Sequence, residues 1–161
     1  MQFDRRFTAA GTDSYDSLEF RSASSEIRNP DGTIVFRAEN VEVPTQFSQV
    51  ATDILAQKYF RKAGVPAVLA RVEENGVPSW LWRSVADEKA LAKLPEEERY
   101  VGEESAKQVF NRLAGTWTYW GWKGGYFTSE KDARTYFDEM CYMLAAQMAA
   151  PNSPQWFNTG M

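Results

Sequence analysis

Adjacent acidic residues stand at Glu73/Glu74, Glu96 to Glu98, Glu103/Glu104 and Asp138/Glu139, and carboxyl groups are the side chains that general acid–base chemistry uses most often after histidine. Such chemistry needs two carboxyls in different environments facing one cleft, whereas sequence neighbours share water and point apart. All four groups therefore read as solvated charge. Arg5/Arg6 and Lys58/Arg61/Lys62, weighed as nucleic-acid contacts, likewise read as solvated faces. Cys141 lies in the apolar run Met140 to Ala146 and reads as a small buried hydrophobe, not a reactive thiolate. Gly121-x-x-Gly124-Gly125 lacks the strand before and helix after that a phosphate loop requires. Of the six tryptophans, Trp117 and Trp120 fit a buried helix face, while Trp80, Trp82 and Trp122 stay open as platforms for a sugar ring. The stretch Asn152 to Thr159 is different. Its short polar side chains, held by Pro151 and Pro154 and flanked by Trp156 and Phe157, could donate hydrogen bonds to a ligand phosphate or ribose; equally, they could form a plain loop packed by the aromatics.

Composition removes whole reaction classes. The 161 residues carry 18 basic and 22 acidic side chains, a formal charge of −4, no histidine and one cysteine. Without histidine there is no Ser-His-Asp or Cys-His machinery and no His-ligated zinc. One cysteine makes no internal disulfide, four-cysteine zinc site or dithiol couple, so no metal site is expected and a reducing, cytoplasmic compartment is the default. The Met140–Ala146 run is too short to cross a bilayer, and Met1-Gln2-Phe3-Asp4-Arg5-Arg6 lacks the apolar stretch of a signal peptide. A soluble chain with no membrane or broad nucleic-acid partner is expected.

The elements that must position these residues form a mainly α arrangement with three principal helices and a small N-terminal β-hairpin. Residues 1–17 read as an irregular polar arm. Within 18–44, Glu26-Ile27-Arg28 and Thr33 to Arg37 flank Asn29-Pro30-Asp31-Gly32, where Pro30 fixes φ and Gly32 permits a positive one, as a turn between strands needs. A third extended piece, Val41-Glu42-Val43, runs up to Pro44. Helices are expected at about 45–63, 103–123 and 129–150. The first is capped by Thr45 or Ser48, with Phe47, Val50, Ala51, Ile54, Leu55 and Tyr59 on its buried face. The second buries Ala106, Val109, Phe110, Leu113, Trp117 and Trp120, has Glu103 and Glu104 at the positive end of its dipole, and carries Gly115 and Gly121 for close approach of a neighbouring backbone. The third opens on Ser129-x-x-Asp132, a capping box with Asp for Glu, buries Ala133, Tyr136, Phe137, Met140, Leu144 and Met148, and stops at Pro151. Residues 67–101 read as irregular and as the most mobile part, with Trp80-Leu81-Trp82 as an apolar anchor.

Several stretches then form a pattern in order: Arg5-Arg6-Phe7-Thr8; Asn29-Pro30-Asp31-Gly32 with Val41-Glu42-Val43-Pro44; Ser48 to Arg61; Arg112-Leu113-Ala114-Gly115-Thr116-Trp117-Thr118-Tyr119-Trp120-Gly121-Trp122-Lys123; and Ala149 to Gly160 with its Asn-Ser-Pro-Gln. Over nearly the whole chain they resemble the N-terminal region of class II, vitamin B12-dependent ribonucleotide reductase. The resemblance implies an enzyme that uses adenosylcobalamin to make a cysteine thiyl radical, which abstracts the ribose 3′ hydrogen while a cysteine pair reduces the 2′ position.

It also implies a helical N-terminal domain, residues 18–150, leading at 151–161 into the first segment of an α/β barrel. Ser153 would contact the ribonucleotide, with Asn152 and Gln155 as weaker candidates. The partners implied are the remainder of the barrel, a thioredoxin-type reductant and a possible homodimer. Cys141 matches none of the family's catalytic cysteines. The chain alone is thus expected to hold no catalytic residue, to bind no cobalamin and to reduce no ribonucleotide. Two other readings stand beside this one: a freestanding protein-interaction module, and a glycan-binding or glycan-cleaving protein using Trp80, Trp82 or Trp122 with a carboxylate.

Overall fold

The computed structural model describes residues 1–160. Strands β1 (Phe20–Arg28) and β2 (Ile34–Pro44) pair antiparallel across the expected turn, where the Gly32 N–H donates to the Asn29 carbonyl at 2.9 Å and Gly32 takes φ +88°. Both strands are longer than their sequence patterns suggest, and Val41-Glu42-Val43 is the end of β2 beyond an irregularity at Asn40, φ +57°. Val41, Val43 and Pro44 are buried, whereas most of the earlier hairpin residues face solvent. The hydroxyl of buried Ser25 donates to Asp53 at 2.6 Å and accepts from Gln57 at 2.9 Å, tying the hairpin to the next element.

That element is α1 (Gln49–Ile54), capped by Ser48 and continuing as one π-helical turn, Leu55–Tyr59. The wider turn breaks the expected face. Leu55, Ala56 and Phe60 enter the core, while Val50 and Ile54, expected to be buried, are exposed. Residues 65–101 hold elements that the sequence reading did not assign. β3 (Val65–Pro66) pairs with β6 (Tyr100–Val101), β4 (Leu69–Arg71) pairs with β5 (Ser84–Ala86), and Asp87 caps the one-turn α2 (Glu88–Leu91). Leu81 is buried, as an apolar anchor should be.

The long helix is α3 (Ala106–Lys123), opened by a capping box in which Ser105 accepts from the Lys107 N–H and Gln108 accepts from that of Ser105. Ala106, Val109, Phe110 and Leu113 are buried as expected, but the stripe then passes to Ala114, Thr118 and Gly121, leaving Trp120 58% exposed. A 3.6-residue helix drifts about 20° per seven residues from a strict three-and-four pattern. Small side chains win this end because a Cβ on Gly121 would stand 2.7 Å from the Phe127 ring; the close neighbour is a ring, not a backbone, and Gly115 meets only an ordinary 3.8 Å contact with Phe137.

Gly124 and Gly125 end α3, and α4 (Glu130–Ala145), capped by Ser129, packs back on it. It stops five residues before Ala150, where Gln147 adopts φ +56°, so Met148 is exposed. The last element is α5 (Ser153–Asn158). Tyr15, Val43, Phe47, Leu55, Phe110, Leu113, Cys141, Leu144 and Trp156 meet in one core.

The molecule is therefore not mainly helical with three principal helices. It is 38% helix and 19% strand, with five helices and small antiparallel sheets among the described residues. The unassigned elements span two to six residues, less than any hydrophobic period needs to show itself.

Candidate functional site

Within residues 151–160, Ser153–Asn158 form the short helix α5, which its neighbours grip. Pro154 sits in the first turn of α5, where its missing N–H costs no hydrogen bond. Trp156 is buried and stacks on Tyr59, ring centroids 5.2 Å apart and planes 19° from parallel, and its indole N–H donates to the Pro151 carbonyl. Phe157 leans on the same tyrosine at 5.9 Å and stays exposed. Ser153 Oγ lies 3.0 Å from the Tyr59 hydroxyl, at the surface. Asn152 and Gln155 are also exposed. The structure thus brings the three sequence-predicted residues together at one end of α5; Met161, the end of the expected segment 151–161, lies outside the described residues.

Arg112 of α3 holds this helix from beneath. Its Nε donates to Glu103 Oε1 at 2.7 Å, Nη2 to the Tyr59 carbonyl at 2.8 Å and Glu103 Oε2 at 3.2 Å, and Nη1 to the carbonyls of Trp156 at 2.6 Å and Thr159 at 3.2 Å. The rigid guanidinium fork suits this set of acceptors, two of which lie at the end of a helix that has no partners of its own for them. Glu103 Oε2 also accepts the Arg61 N–H, and the Arg61 side chain donates to the Gly160 carbonyl at 2.8 Å. Burial and the nearby Arg112 charge draw the Arg61 pKa below its ordinary value, and Glu103 opposes them. Gly160 takes φ +81°, and a Cβ there would meet Arg112 Cβ at 2.8 Å. Glu103 and Arg61 were expected to be solvated. They are instead two of three members of a network around buried Glu103; the third, Arg112, is nine residues from Glu103 and invisible to neighbour-based reading.

A second departure from solvated charge lies on α4. Phe3 N–H donates to Asp132 at 2.9 Å, Thr8 N–H and hydroxyl donate to Glu139 at 3.0 and 2.6 Å, and Arg5 pairs at 2.8 Å with Asp138, which is 1% exposed. Ser14 Oγ and Arg134 Nε also donate to Asp138. The polar arm is thereby laid along the helix. Glu74 accepts from Lys123 and Tyr119, which hold its carboxyl below the usual carboxylate range. Glu96, Glu97 and Glu98 are exposed. Cys141 is fully buried, and burial pushes its thiol pKa up to about 12. The indole N–H groups of Trp80, Trp82 and Trp122 donate to Glu130, Val77 and Gly76, respectively.

A family model described as class II vitamin B12-dependent ribonucleotide reductase matches residues 21–147. The chain belongs to this reductase family. It is 68% identical to the vitamin B12-dependent ribonucleotide reductase of Agrobacterium fabrum and 66% identical to that of Bradyrhizobium diazoefficiens, each over 161 residues. Both alignments cover 100% of this chain, α5 included, and 13% of the relative. The Rhodopirellula baltica reductase of the same name is 28% identical over 138 residues, 86% of this chain and 10% of that protein. The chain therefore spans about 13% of the length of its two more similar relatives.

Two open surface depressions lie among the described residues, of about 400 Å³ beside Arg6, Thr8 and Ser14 and about 580 Å³ beside Arg21, Asn40 and Gln49. No three His, Cys, Asp or Glu side chains among the described residues are grouped to hold a metal, and no helix there is long and apolar enough to cross a membrane. Tyr59 and Arg112, which hold the candidate residues, were missed as site residues. An arginine beside the buried positions Val109, Phe110 and Leu113 was the available signal.

Proposed function

We propose that this chain is the N-terminal, non-catalytic portion of an adenosylcobalamin-dependent ribonucleotide reductase, bracing the catalytic barrel and contributing Ser153 to the ribonucleotide site. Asn152 and Gln155 are secondary contacts. In this reading residues 1–17 are an irregular N-terminal arm, 18–150 the N-terminal domain and 151–161 the start of the substrate-site segment. The whole enzyme works in the cytoplasm with a thioredoxin-type reductant and pairs as a homodimer.

The observation that carries the reading is the grip on α5: a buried Arg112–Glu103 pair and the Tyr59–Trp156 stack fix a helix whose hydroxyl and amide side chains face outward. A site that must meet a substrate in one geometry needs such support. The redox chemistry lies elsewhere in the enzyme, because the reaction requires a radical cysteine and a reducing pair, whereas this chain carries only Cys141, buried and held as a neutral thiol.

The chain alone, given adenosylcobalamin, a ribonucleotide and a dithiol, is expected to release no deoxyribonucleotide. Cobalamin-dependent turnover would overturn the reading. In the full-length reductase, Ser153→Ala is expected to raise the KM for ribonucleotide roughly three- to tenfold, the worth of one neutral hydrogen bond, and an unchanged KM would remove Ser153 from the site.

A further inference from the structure

Tyr59 is fixed at three points. Its ring stacks on Trp156 and touches the tilted ring of Phe157, its carbonyl accepts from Arg112 Nη2 at 2.8 Å, and its hydroxyl is 3.0 Å from Ser153 Oγ. Tyr59 is the last residue of the π-helical turn, where the Phe60 N–H reaches back five residues to the Leu55 carbonyl. Among the described residues neither hydroxyl has another side-chain partner.

We infer that Tyr59 is a positioning residue for the ribonucleotide site, orienting the Ser153 hydroxyl so that it donates to an oxygen of the substrate. The inference rests on the assignment of Ser153 to that site. A phenol is a stronger acid than an alkanol, so in this pair Tyr59 O–H donates and Ser153 Oγ accepts. With one lone pair engaged, the serine proton turns away from Tyr59 toward the open side of the pair. A hydroxyl held this way selects acceptors, and phosphate and ribose oxygens are what a ribonucleotide presents. An unrestrained serine would distribute its hydroxyl over three staggered rotamers and lose that ordering on binding. The Tyr59 ring is held by stacking and its backbone by Arg112, so the hydroxyl acts from a fixed platform.

The test uses the full-length reductase containing this chain. Binding of a ribonucleoside diphosphate, with a triphosphate as a parallel arm, is measured by calorimetry on cobalamin-free protein, and kcat and KM on the loaded enzyme. Tyr59→Phe keeps the stack and removes only the hydroxyl. It is expected to weaken binding and raise KM roughly three- to tenfold, with the loss in KM and not in kcat, and with amide exchange in α5 unchanged. Ser153→Ala is expected to weaken binding at least as much, and the double variant no more than Ser153→Ala alone, because the phenol acts through the serine.

Wild-type binding by Tyr59→Phe beside weakened binding by Ser153→Ala would overturn the inference and leave the Ser153 assignment standing. Additive losses in the double variant, a loss confined to kcat, or faster exchange throughout α5 would also overturn it. Unchanged binding by Ser153→Ala would remove the underlying assignment and the inference together.

Discussion

Replacing Arg112 by methionine keeps most of the side-chain volume on α3 but deletes the guanidinium that joins α5 to the core. Five donor–acceptor contacts disappear, and Glu103, whose side chain is 4% exposed, keeps its charge with only the Arg61 N–H beside it. Removing one partner of a buried ion pair costs about 3–5 kcal/mol, because the remaining charge is left desolvated and uncompensated. For a chain of this length each kcal/mol moves the midpoint by about 2–4 °C, so Arg112→Met is expected to lower Tm by roughly 6–20 °C. Scanning calorimetry on the 161-residue chain at neutral pH measures this, and hydrogen exchange should show the loss concentrated in α5. Glu103→Gln placed on top of Arg112→Met removes the stranded charge while keeping an acceptor for Arg61, so the double variant should regain part of the loss. A Tm change below about 2 °C for Arg112→Met, or a double variant as unstable as the summed singles, would show that water already solvates this pair and that α5 is held by its aromatics alone.

Gly121→Ala should destabilise by about 1–3 kcal/mol, since its Cβ would stand 2.7 Å from the Phe127 ring, whereas Gly115→Ala, with only Phe137 at 3.8 Å, should stabilise by up to about 1 kcal/mol through helix propensity; thermal melts of the two distinguish them. The Ser129 hydroxyl and the Phe3 N–H hold the Asp132 carboxyl below its ordinary value, so its contribution to holding the arm is present above the unfolded carboxyl pKa and lost as pH falls through the lower folded value. Phe3 amide protection should accordingly fade only as pH falls below the ordinary carboxyl range, and Asp132→Asn should abolish this pH dependence. Cys141 should resist alkylation at pH 8 in the folded chain and react once guanidinium unfolds it. Because its folded thiol pKa is raised from 9.0 to about 12, the unfolded state ionises first and stability should fall as pH rises through that window, less steeply in Cys141→Ser.

Sequence patterning located α3 and α4 because each is long enough for a hydrophobic period to repeat. It failed where bulk and burial part company. Trp120 continues the three-and-four spacing, yet Gly121 and Thr118 occupy the contact because Phe127 needs the space. Val50 and Ile54 lie exposed on α1, ahead of a π turn, Leu55–Tyr59, which is a backbone change that leaves no mark on residue type. Ser153, Asn152 and Gln155 could be named from the resemblance, since they stand in one short motif. Tyr59 and Arg112 could not, because the contacts that give them meaning span 94 residues to Ser153 and 44 to Trp156. Solvated charge was the right default for Glu96 to Glu98 and the wrong one for Glu103 and Asp138, whose buried partners only the tertiary fold supplies.

The arm on α4 also fixes an order of events during synthesis. Thr8 and Glu139 are 131 residues apart, and Phe3 and Asp132 are 129 apart. At about 5–20 residues per second the first residues leave the ribosome on the order of ten seconds before the helix that receives them. Until then Arg5, Thr8 and Ser14 lack their α4 partners, and water solvates their polar groups. Residues 3–8 thus find their place only after α4 is complete, and their docking reports that it is.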